Sequence, residues 1–391
     1  MFRRSLLFAV LASPWLDAGL ISLPDFPGEG FATPVTAGNI DTDSFAEWVD
    51  GKLTPLEPTD GAKNQGPRSI LCTTTSNSGH ATQYFGDTKI PGARHLRIGF
   101  KETIPAGSIL VKDGGAVSVL KPQAPYPGDP ADDSQWLSAQ RYENGTPVST
   151  EQEKGNLSLW ILPPDTTTRA LRFTHNAKLT DTDYRGSISG ALVSPSRFIN
   201  EAWTATAGAS SMNQNAGRLL NGEHDGWGAW ENQEKGKAPE DSPVISAEHP
   251  EWVTLSWRQP VSLNGLATIW TGISKADIQT FTGPEDHNPK DAPDSDWKDI
   301  ASYANIRHNY AAQFWPNLLA FPKEVKTRAV RIRITAAGAN LSHANNNDGK
   351  RVWLGELMAL RNLGSEPLKS FEKIADTDPP KAPIPIHFEL K

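Results

Sequence analysis

The sequence predicts an all-β protein made of two tandem sandwiches of short antiparallel strands, with few or no long helices. Three observations carry this prediction. One set of sequence landmarks occurs twice, about 160 residues apart. The 391 residues include 32 Gly and 31 Pro, which suits a chain with many turns. No stretch of the sequence keeps apolar residues at helical spacing for three or more turns.

The repeated landmarks come in the same order in both halves of the chain. The second half reads EWVTLSWRQPVSLNGLATIW, DWKDIASY, TRAVRIRI and WLGELMAL; the first half reads HLRIGFKETIPAGSILV, QWLSAQRY, TRALRFT and ISGALVS. This spacing is far longer than the roughly 20–50 residues of a solenoid repeat, so it indicates tandem domains. We therefore predict two β-sandwich domains, over residues 23–198 and 199–363.

Alternating apolar residues predict individual strands within both copies. In HLRIGF, Leu96, Ile98 and Phe100 share one face, as Val330 and Ile332 do in AVRIRI. SILVKDGGAVSVL contains two short apolar runs around an Asp-Gly-Gly turn, which predicts a β-hairpin. WLGELMAL lacks clean alternation, which predicts a strand whose two faces are both partly covered.

The two ends of the chain differ in composition from the rest. Residues 1–22 have a basic start at Arg3 and Arg4, a short apolar run and small residues near Ala18, a pattern that predicts a secretory signal peptide. The apolar run is too short to span a bilayer, so we predict a secreted, periplasmic or cell-surface protein with no transmembrane segment. Residues 364–391 are rich in Pro, Lys and Asp and end in a strand pattern, which predicts a linker. Two alternatives stay open for the terminal strand: it pairs back onto a sandwich, or it is the start of a further domain.

Charge and motif content narrow the function classes. The net charge of −7 argues against nucleic acid as a partner, because nucleic-acid binders present a basic face. The sequence lacks the HExxH, GxSxG, Walker and dinucleotide-binding motifs, so we predict no catalytic residues. The oligomeric state stays open.

The second copy resembles a known family. LLNGEHDGWGAW (219–230) resembles its opening segment, and the four landmarks that follow resemble its strands in the same order. The family is the discoidin domain, or coagulation factor five/eight type C domain, of the galactose-binding-like superfamily. The resemblance covers residues 199–363, with a weaker copy at 36–198. It implies an eight-stranded jelly-roll sandwich that binds glycans or phospholipid headgroups through loops at one end, often with one structural calcium ion.

The opening segment also contains oxygen ligands of the kind that calcium prefers. NGEHDG places Asn221 and Asp225 close together, with two glycines for tight turns. The resemblance implies that Glu356, in the closing strand, completes a structural Ca²⁺ site with them. The alternative is a polar turn whose amides donate hydrogen bonds to Glu356, with no metal.

A second segment is the best candidate for ligand contact. RHNYAAQFWPN supplies Arg307, His308, Asn309, Tyr310 and Trp315, and the opening segment adds Trp227. Aromatic rings that stack on sugar faces, next to a few polar groups that bind hydroxyls, are typical of a carbohydrate site. The alternative is that these aromatics pack beneath the sandwich.

These observations favour an exported, non-catalytic protein that binds a glycan or a cell-surface polysaccharide. Two alternatives remain open on the sequence alone. The chain could be a structural or adhesive spacer, or it could be the N-terminal accessory region of a larger secreted enzyme. The fold hosts many ligands, so the resemblance leaves the choice among these functions open.

Overall fold

The structure is a computed structural model of the 391-residue chain. It describes residues 19–22, 40–49, 52–55, 92–113, 115–149, 157–177, 188–222, 229–233, 242–304, 306, 317–338, 349–364 and 368. The fold is all-β, as predicted, and contains two sandwiches. Within the described ranges the helical segments are 3-10 turns, at Asp133–Gln135, Ala202–Thr204, Asn213–Leu220, Pro289–Asp291 and Asp294–Asp296. No helix among these residues has the length and apolar character needed to cross a membrane.

Two six-stranded antiparallel sheets form the N-terminal sandwich. The strands of the first are, in spatial order, β1 (Gly19–Ser22), β12 (Ile188–Ser194), β5 (Ser108–Asp113), β10 (Leu157–Ile161), β8 (Gln140–Glu143) and β9 (Thr146–Pro147). Those of the second are β3 (Lys52–Pro55), β2 (Ile40–Val49), β4 (Gly92–Pro105), β11 (Thr167–Ala177), β6 (Ala116–Leu120) and β7 (Trp136–Ser138). Leu96, Ile98 and Phe100 of β4 lie in the core between these sheets, as predicted, against Trp160 of β10.

The C-terminal sandwich is one continuous antiparallel sheet of eight strands. Six of them follow the order β13 (Phe198–Asn200), β20 (Trp353–Asn362), β16 (Glu251–Thr271), β19 (Asn317–Ala337), β17 (Ile273–Phe281) and β18 (Trp297–Tyr303). The other two are β14 (Thr206–Ala209), which pairs with β16, and β15 (Trp230–Glu231), which pairs with β20.

Strand β16 serves both layers of the C-terminal sandwich. Register shifts between Ser256 and Val261 divide it into a first part that pairs with β14 and a second part that pairs with β20. Val253 from the first part and Leu266 from the second lie in the same core. The chain therefore crosses the sandwich, bends at the far end and returns, and β19 does the same beside it.

The predicted hairpin over residues 108–120 is wrong. Strand β5 pairs with β10 and β12 in one sheet, whereas β6 pairs with β11 and β7 in the other. The connection between β5 and β6 therefore crosses from one layer to the other, with Gly115 at a positive φ of 59°. Ile109 and Val117 both point into the core between the sheets, and burying both apolar faces stabilises this crossing over a local pairing.

Strand β1 overlaps the end of the predicted signal peptide. Gly19–Ser22 pairs antiparallel with β12 at the edge of the N-terminal sandwich. These four residues fall inside the segment 1–22 that the sequence analysis assigned to the signal. A cleavage site near Ala18, rather than after residue 22, would leave the whole of β1 in the mature protein.

An arginine clamp holds the outer face of the C-terminal sheet. The Arg331 guanidinium lies 4.6 Å from the ring centroid of Trp297, and its Nη2 donates to Asp294 at 2.9 Å. Its Nε donates to Gln279 Oε1 at 2.7 Å. A 3-10 turn, Asp294–Asp296, leads directly into Trp297 and brings both the Asp294 carboxylate and the Trp297 ring against the same arginine.

The N-terminal sandwich repeats this clamp. The Arg172 guanidinium lies 5.2 Å from the ring centroid of Trp136, and its Nη1 donates to Asp133 at 2.7 Å. A 3-10 turn, Asp133–Gln135, again leads into the tryptophan. The landmarks QWLSAQRY with TRALRFT and DWKDIASY with TRAVRIRI therefore bring an arginine against a tryptophan and an aspartate in both halves.

His95 of β4 gives the N-terminal sandwich a dependence on pH. Burial, together with the nearby charge of Arg172, lowers the pKa of His95 from 6.5 to about 4. The unfolded chain binds a proton at His95 between these pH values and the folded chain does not, so stability is lost as pH falls from 6.5 towards 4. We expect His95→Asn, whose side chain can still bond the Thr174 hydroxyl, to remove on the order of 2 kcal/mol of this loss. Urea unfolding of both proteins at pH 7 and pH 4.5 measures it, and equal losses in the two would contradict the assignment.

Candidate functional site

Several chain segments meet at one end of the C-terminal sandwich, here called the loop end. Strand β16 finishes at Thr271, where it pairs with Leu354 near the start of β20. Strand β17 begins two residues later, opposite the end of β19. The first residue of β19, Asn317, pairs with Thr268 of β16. The described residues that flank 223–228, 307–316 and 339–348 therefore lie at this end.

All six predicted ligand residues lie outside the described part of the chain. These are Arg307, His308, Asn309, Tyr310, Trp315 and Trp227. The structure does describe the residues on either side of them. Ile306 donates its backbone N–H to the Ser274 carbonyl at 3.0 Å, and Ala229 packs against Trp353. The attachment points of both predicted binding segments are therefore brought together at the loop end.

Trp353 forms a rigid floor at the loop end. Its backbone carbonyl accepts the Gly272 N–H at 2.8 Å, and the Gly272 carbonyl accepts the Gly338 N–H at 2.6 Å. A Cβ at position 272 would lie 2.5 Å from the indole ring, so only glycine allows this close approach. The buried indole thus fixes the spacing between the β16–β17 turn and the start of β20.

A hydrogen-bonded network around Glu251 braces the same end. Its carboxylate accepts from the hydroxyls of Ser210 and Ser211 and from Nδ2 of Asn232. The side-chain Oδ1 of Asn232 in turn accepts the Val352 N–H at 3.0 Å. No local sequence pattern predicts this network, because its members come from four separate segments. The one available signal was Glu251, a carboxylate directly before the strand pattern WVTLSW.

Glu356 is the most unusual titratable group of the loop end. Only 2% of its surface is exposed, and its Oε2 accepts the Gly222 N–H at 3.0 Å. Burial raises the pKa of Glu356 well above its usual value, while the Gly222 hydrogen bond opposes that shift. A buried carboxylate of this kind requires either a proton or a cation beside it.

Of the three predicted calcium ligands, the two that the structure describes lie close enough together to suit a cation. Glu356 contacts Gly222, and Asn221 directly precedes Gly222 in the chain, so two of the three predicted ligands lie near one another. Asp225 lies outside the described residues. Among the residues that the structure does describe, no three His, Cys, Asp or Glu side chains gather into a metal-binding group. The Gly222 amide also matches the metal-free alternative, in which a loop amide donates to Glu356.

Comparison with known proteins gives fold-level likenesses. No family model matches the chain, and no curated protein matches it. Among solved structures, an F-lectin from striped bass (Morone saxatilis) serum is 12% identical, with 70% of this chain and 83% of that chain covered, at a TM-score of 0.27. The family 32 carbohydrate-binding module of Clostridium perfringens NanJ, in complex with galactose, is 14% identical over 41% of this chain and 96% of that chain, at 0.28.

An enzyme is also among the similar structures. Allantoicase from Saccharomyces cerevisiae is 10% identical, with 71% of this chain and 80% of that chain covered, at a TM-score of 0.26. Because all three scores are this low, the fold of this chain rests on its own strand pairing.

Proposed function

We propose that this is an exported, non-catalytic carbohydrate-binding protein of discoidin-like type, whose ligand site is the loop end of the C-terminal sandwich. One observation carries the proposal. The described residues that flank the two aromatic-rich segments, 223–228 and 307–316, converge at one end of the sandwich over a fixed floor at Trp353. Loops held together on a rigid scaffold are the usual position of a binding site.

The proposed chemistry is stacking with a few directed hydrogen bonds. Tyr310, Trp315 and Trp227 supply rings for the apolar face of a sugar, and Arg307, His308 and Asn309 supply donors and acceptors for its hydroxyls. The ligand is a glycan or cell-surface polysaccharide. The Glu251 network holds the neighbouring strand ends in place, and its polar groups are hydrogen-bonded to one another rather than to the ligand.

Calcium has a structural role in this proposal. Asn221, Asp225 and Glu356 would hold the ion, which would neutralise the buried Glu356 carboxylate and rigidify the opening segment. The chain's own contribution is the Gly222 amide, which fixes the orientation of that carboxylate. The ion would support the scaffold rather than contact the sugar.

The proposed organisation follows the repeat. A signal peptide within residues 1–22 directs export to the cell surface, the periplasm or the medium. Two sandwich domains follow, at 23–198 and 199–363, and then a linker that begins at residue 364. The strand β1 would stay with the mature protein when cleavage occurs near Ala18.

A glycan array tests the proposed site. The protein is made from Gly19 onward, so that β1 is kept, and is screened with calcium and with chelator. We expect binding to at least one glycan, and a loss of about tenfold or more on Trp315→Ala or Tyr310→Ala, since stacked aromatics dominate such sites. The matched control is Trp203→Ala, a tryptophan that is 39% exposed at the opposite end of the sandwich, and it should bind as the parent does.

The array result decides between this proposal and its alternatives. A folded parent protein that binds no glycan would overturn the proposal in favour of a spacer or an accessory region. Equal losses on Trp315→Ala and Trp203→Ala would overturn the placement of the site at the loop end.

A further inference from the structure

The first sheet of the N-terminal sandwich is apolar on both faces. Ile109 and Trp160 point into its own core, while Leu110, Leu159 and Leu192 point the other way and are also buried. In the β-ladder, Leu110 pairs with Leu159 on one side and with Leu192 on the other. A three-strand apolar patch therefore lies on the outer face of β12, β5 and β10.

The C-terminal sandwich presents a patch of the same construction. Ala267 of β16 pairs with Leu318 of β19 on one side and with Met358 of β20 on the other. All three side chains point away from the C-terminal core and belong to one buried cluster with Leu110, Leu159 and Leu192. The two patches therefore bury each other, and this buried cluster is here called the docking interface.

The two patches are equivalent in the repeat. Leu159 and Leu318 stand the same number of residues before the Thr-Arg-Ala motif that begins at Thr168 and at Thr327. Both precede a residue of the inner core, Trp160 in one copy and Leu319 in the other. The strand order β12–β5–β10 in the first sheet thus matches β20–β16–β19 in the second. Contact between the same face of two copies is the arrangement of an isologous interface in a twofold-symmetric dimer.

Two hydrogen bonds across the docking interface show which ends of the two sandwiches lie side by side. Leu157, the first residue of β10, donates its N–H to the carbonyl of Gly222 at 3.3 Å, and Gly222 lies at the loop end beside Glu356. At the opposite end, Ser108, the first residue of β5, accepts the Phe198 N–H at 2.9 Å. Phe198 pairs with Asn362, the last residue of β20. Equivalent ends of the two sandwiches therefore lie on the same side of the molecule.

The short connection between the sandwiches is consistent with this direction. Only residues 195–197 separate the last residue of β12 from the first of β13. Arg197 donates from its Nε to the Leu162 carbonyl at 2.9 Å, and its own carbonyl accepts the Leu363 N–H at 2.6 Å. The connection is thus bonded to both sandwiches rather than spanning a gap.

We propose that the docking interface joins the two sandwiches into one rigid binding platform whose ligand is a glycan polymer. The polymer is long enough to contact, at the same time, the loop end of the C-terminal sandwich and the equivalent end of the N-terminal sandwich. The ends at which β5 finishes and β10 and β12 begin then face the same way as the loop end of the C-terminal sandwich. A polymer that meets both ends gains affinity from the second contact, because that contact forms within the same complex. The polymer part of this inference rests on the proposed carbohydrate-binding function; the docking part does not.

The test separates docking from sugar binding. The double variant Leu159→Asp/Leu192→Asp places two carboxylates in the docking interface without touching the C-terminal sandwich. We expect small-angle X-ray scattering to give a larger radius of gyration, with the circular dichroism of the β-sheets kept. The dissociation constant for a polysaccharide should rise about tenfold or more, and that for a short oligosaccharide of the same sugar should change less than about twofold.

A second variant and a control keep the outcomes distinct. Leu318→Asp places a charge in the docking interface from the C-terminal sandwich. It tests docking independently if the double variant fails to fold. Trp203→Asp adds a charge outside the interface and should change neither the radius nor the binding. An unchanged radius in both interface variants would overturn the docking inference. Equal losses for polymer and oligosaccharide would overturn the shared platform. A parent protein that binds no glycan would overturn the polymer part along with the proposed function, while a larger radius would still support docking.

Discussion

Replacing Arg331 with alanine should lower the free energy of unfolding of the C-terminal sandwich by about 2–4 kcal/mol. The guanidinium is buried, with 3% of the residue exposed, and it donates to Gln279 and Asp294 while it stacks on Trp297. The loss comes mainly from the Gln279 bond and from the space left beside the ring. The ion pair adds little, because the Asp294 side chain is 79% exposed and solvent screens it.

Three further variants test this explanation by urea unfolding. Arg331→Met keeps the apolar stem but loses the hydrogen bonds, so we expect a smaller loss, about 1–2 kcal/mol. Arg172→Ala, at the equivalent clamp, should also lower the free energy of unfolding by about 2–4 kcal/mol, because Arg172 donates to the Pro130 carbonyl and to Asp133 and lies over Trp136. Arg258→Ala is the control at an exposed position, where we expect a change within about 0.5 kcal/mol. A cost for Arg331→Ala no greater than for Arg258→Ala would show that the clamp does not stabilise the sandwich.

The second large effect concerns Glu356. We expect saturating calcium to stabilise the parent protein, by about 2.7 kcal/mol when the ion exceeds its dissociation constant a hundredfold. Glu356→Gln should abolish this gain, because the amide keeps an oxygen for the Gly222 N–H but loses the charge that holds the ion. In chelator the variant should be at least as stable as the parent, since it no longer buries an ionisable group.

Thermal unfolding with calcium and with chelator measures both halves of this expectation. Glu324→Gln is the matched control, because this carboxylate is exposed on β19 and should leave the calcium response intact. A parent protein whose melting temperature ignores calcium would remove the ion from the proposal. The metal-free alternative, in which Glu356 only accepts loop amides, would then account for the buried carboxylate.

The strand-level predictions succeeded where one face of a strand alternates cleanly. Val330 and Ile332 of AVRIRI and Leu96 and Ile98 of HLRIGF all lie in the cores, because period-two burial is a local property of the sequence. WLGELMAL, predicted as a strand with both faces partly covered, is buried on both, with Leu357 in one cluster and Met358 in another.

The failures came from pairings that local sequence does not encode. The Asp-Gly-Gly turn after Asp113 has the composition of a hairpin, yet it joins strands of different sheets. The Glu251 network joins residues that are up to about 140 positions apart, so no local sequence pattern could predict it. The predicted ligand segment at 307–316 stays a prediction, supported by where Ile306 and Asn317 are fixed.

The sequence by itself determined the all-β class, the twofold repeat and the inward faces of most strands, because each depends on the spacing of residues along the chain. The tertiary structure decided which sheet each strand joins, how segments far apart meet at the loop end, and why the outer face of the first sheet is apolar. In the sequence, Leu157, Leu159 and Ile161 are apolar residues on the strand face that points away from the core of their own sandwich. This apolar face is explained only by the second sandwich that covers it, since burial of apolar area depends on what lies opposite in space and not on what is near in sequence.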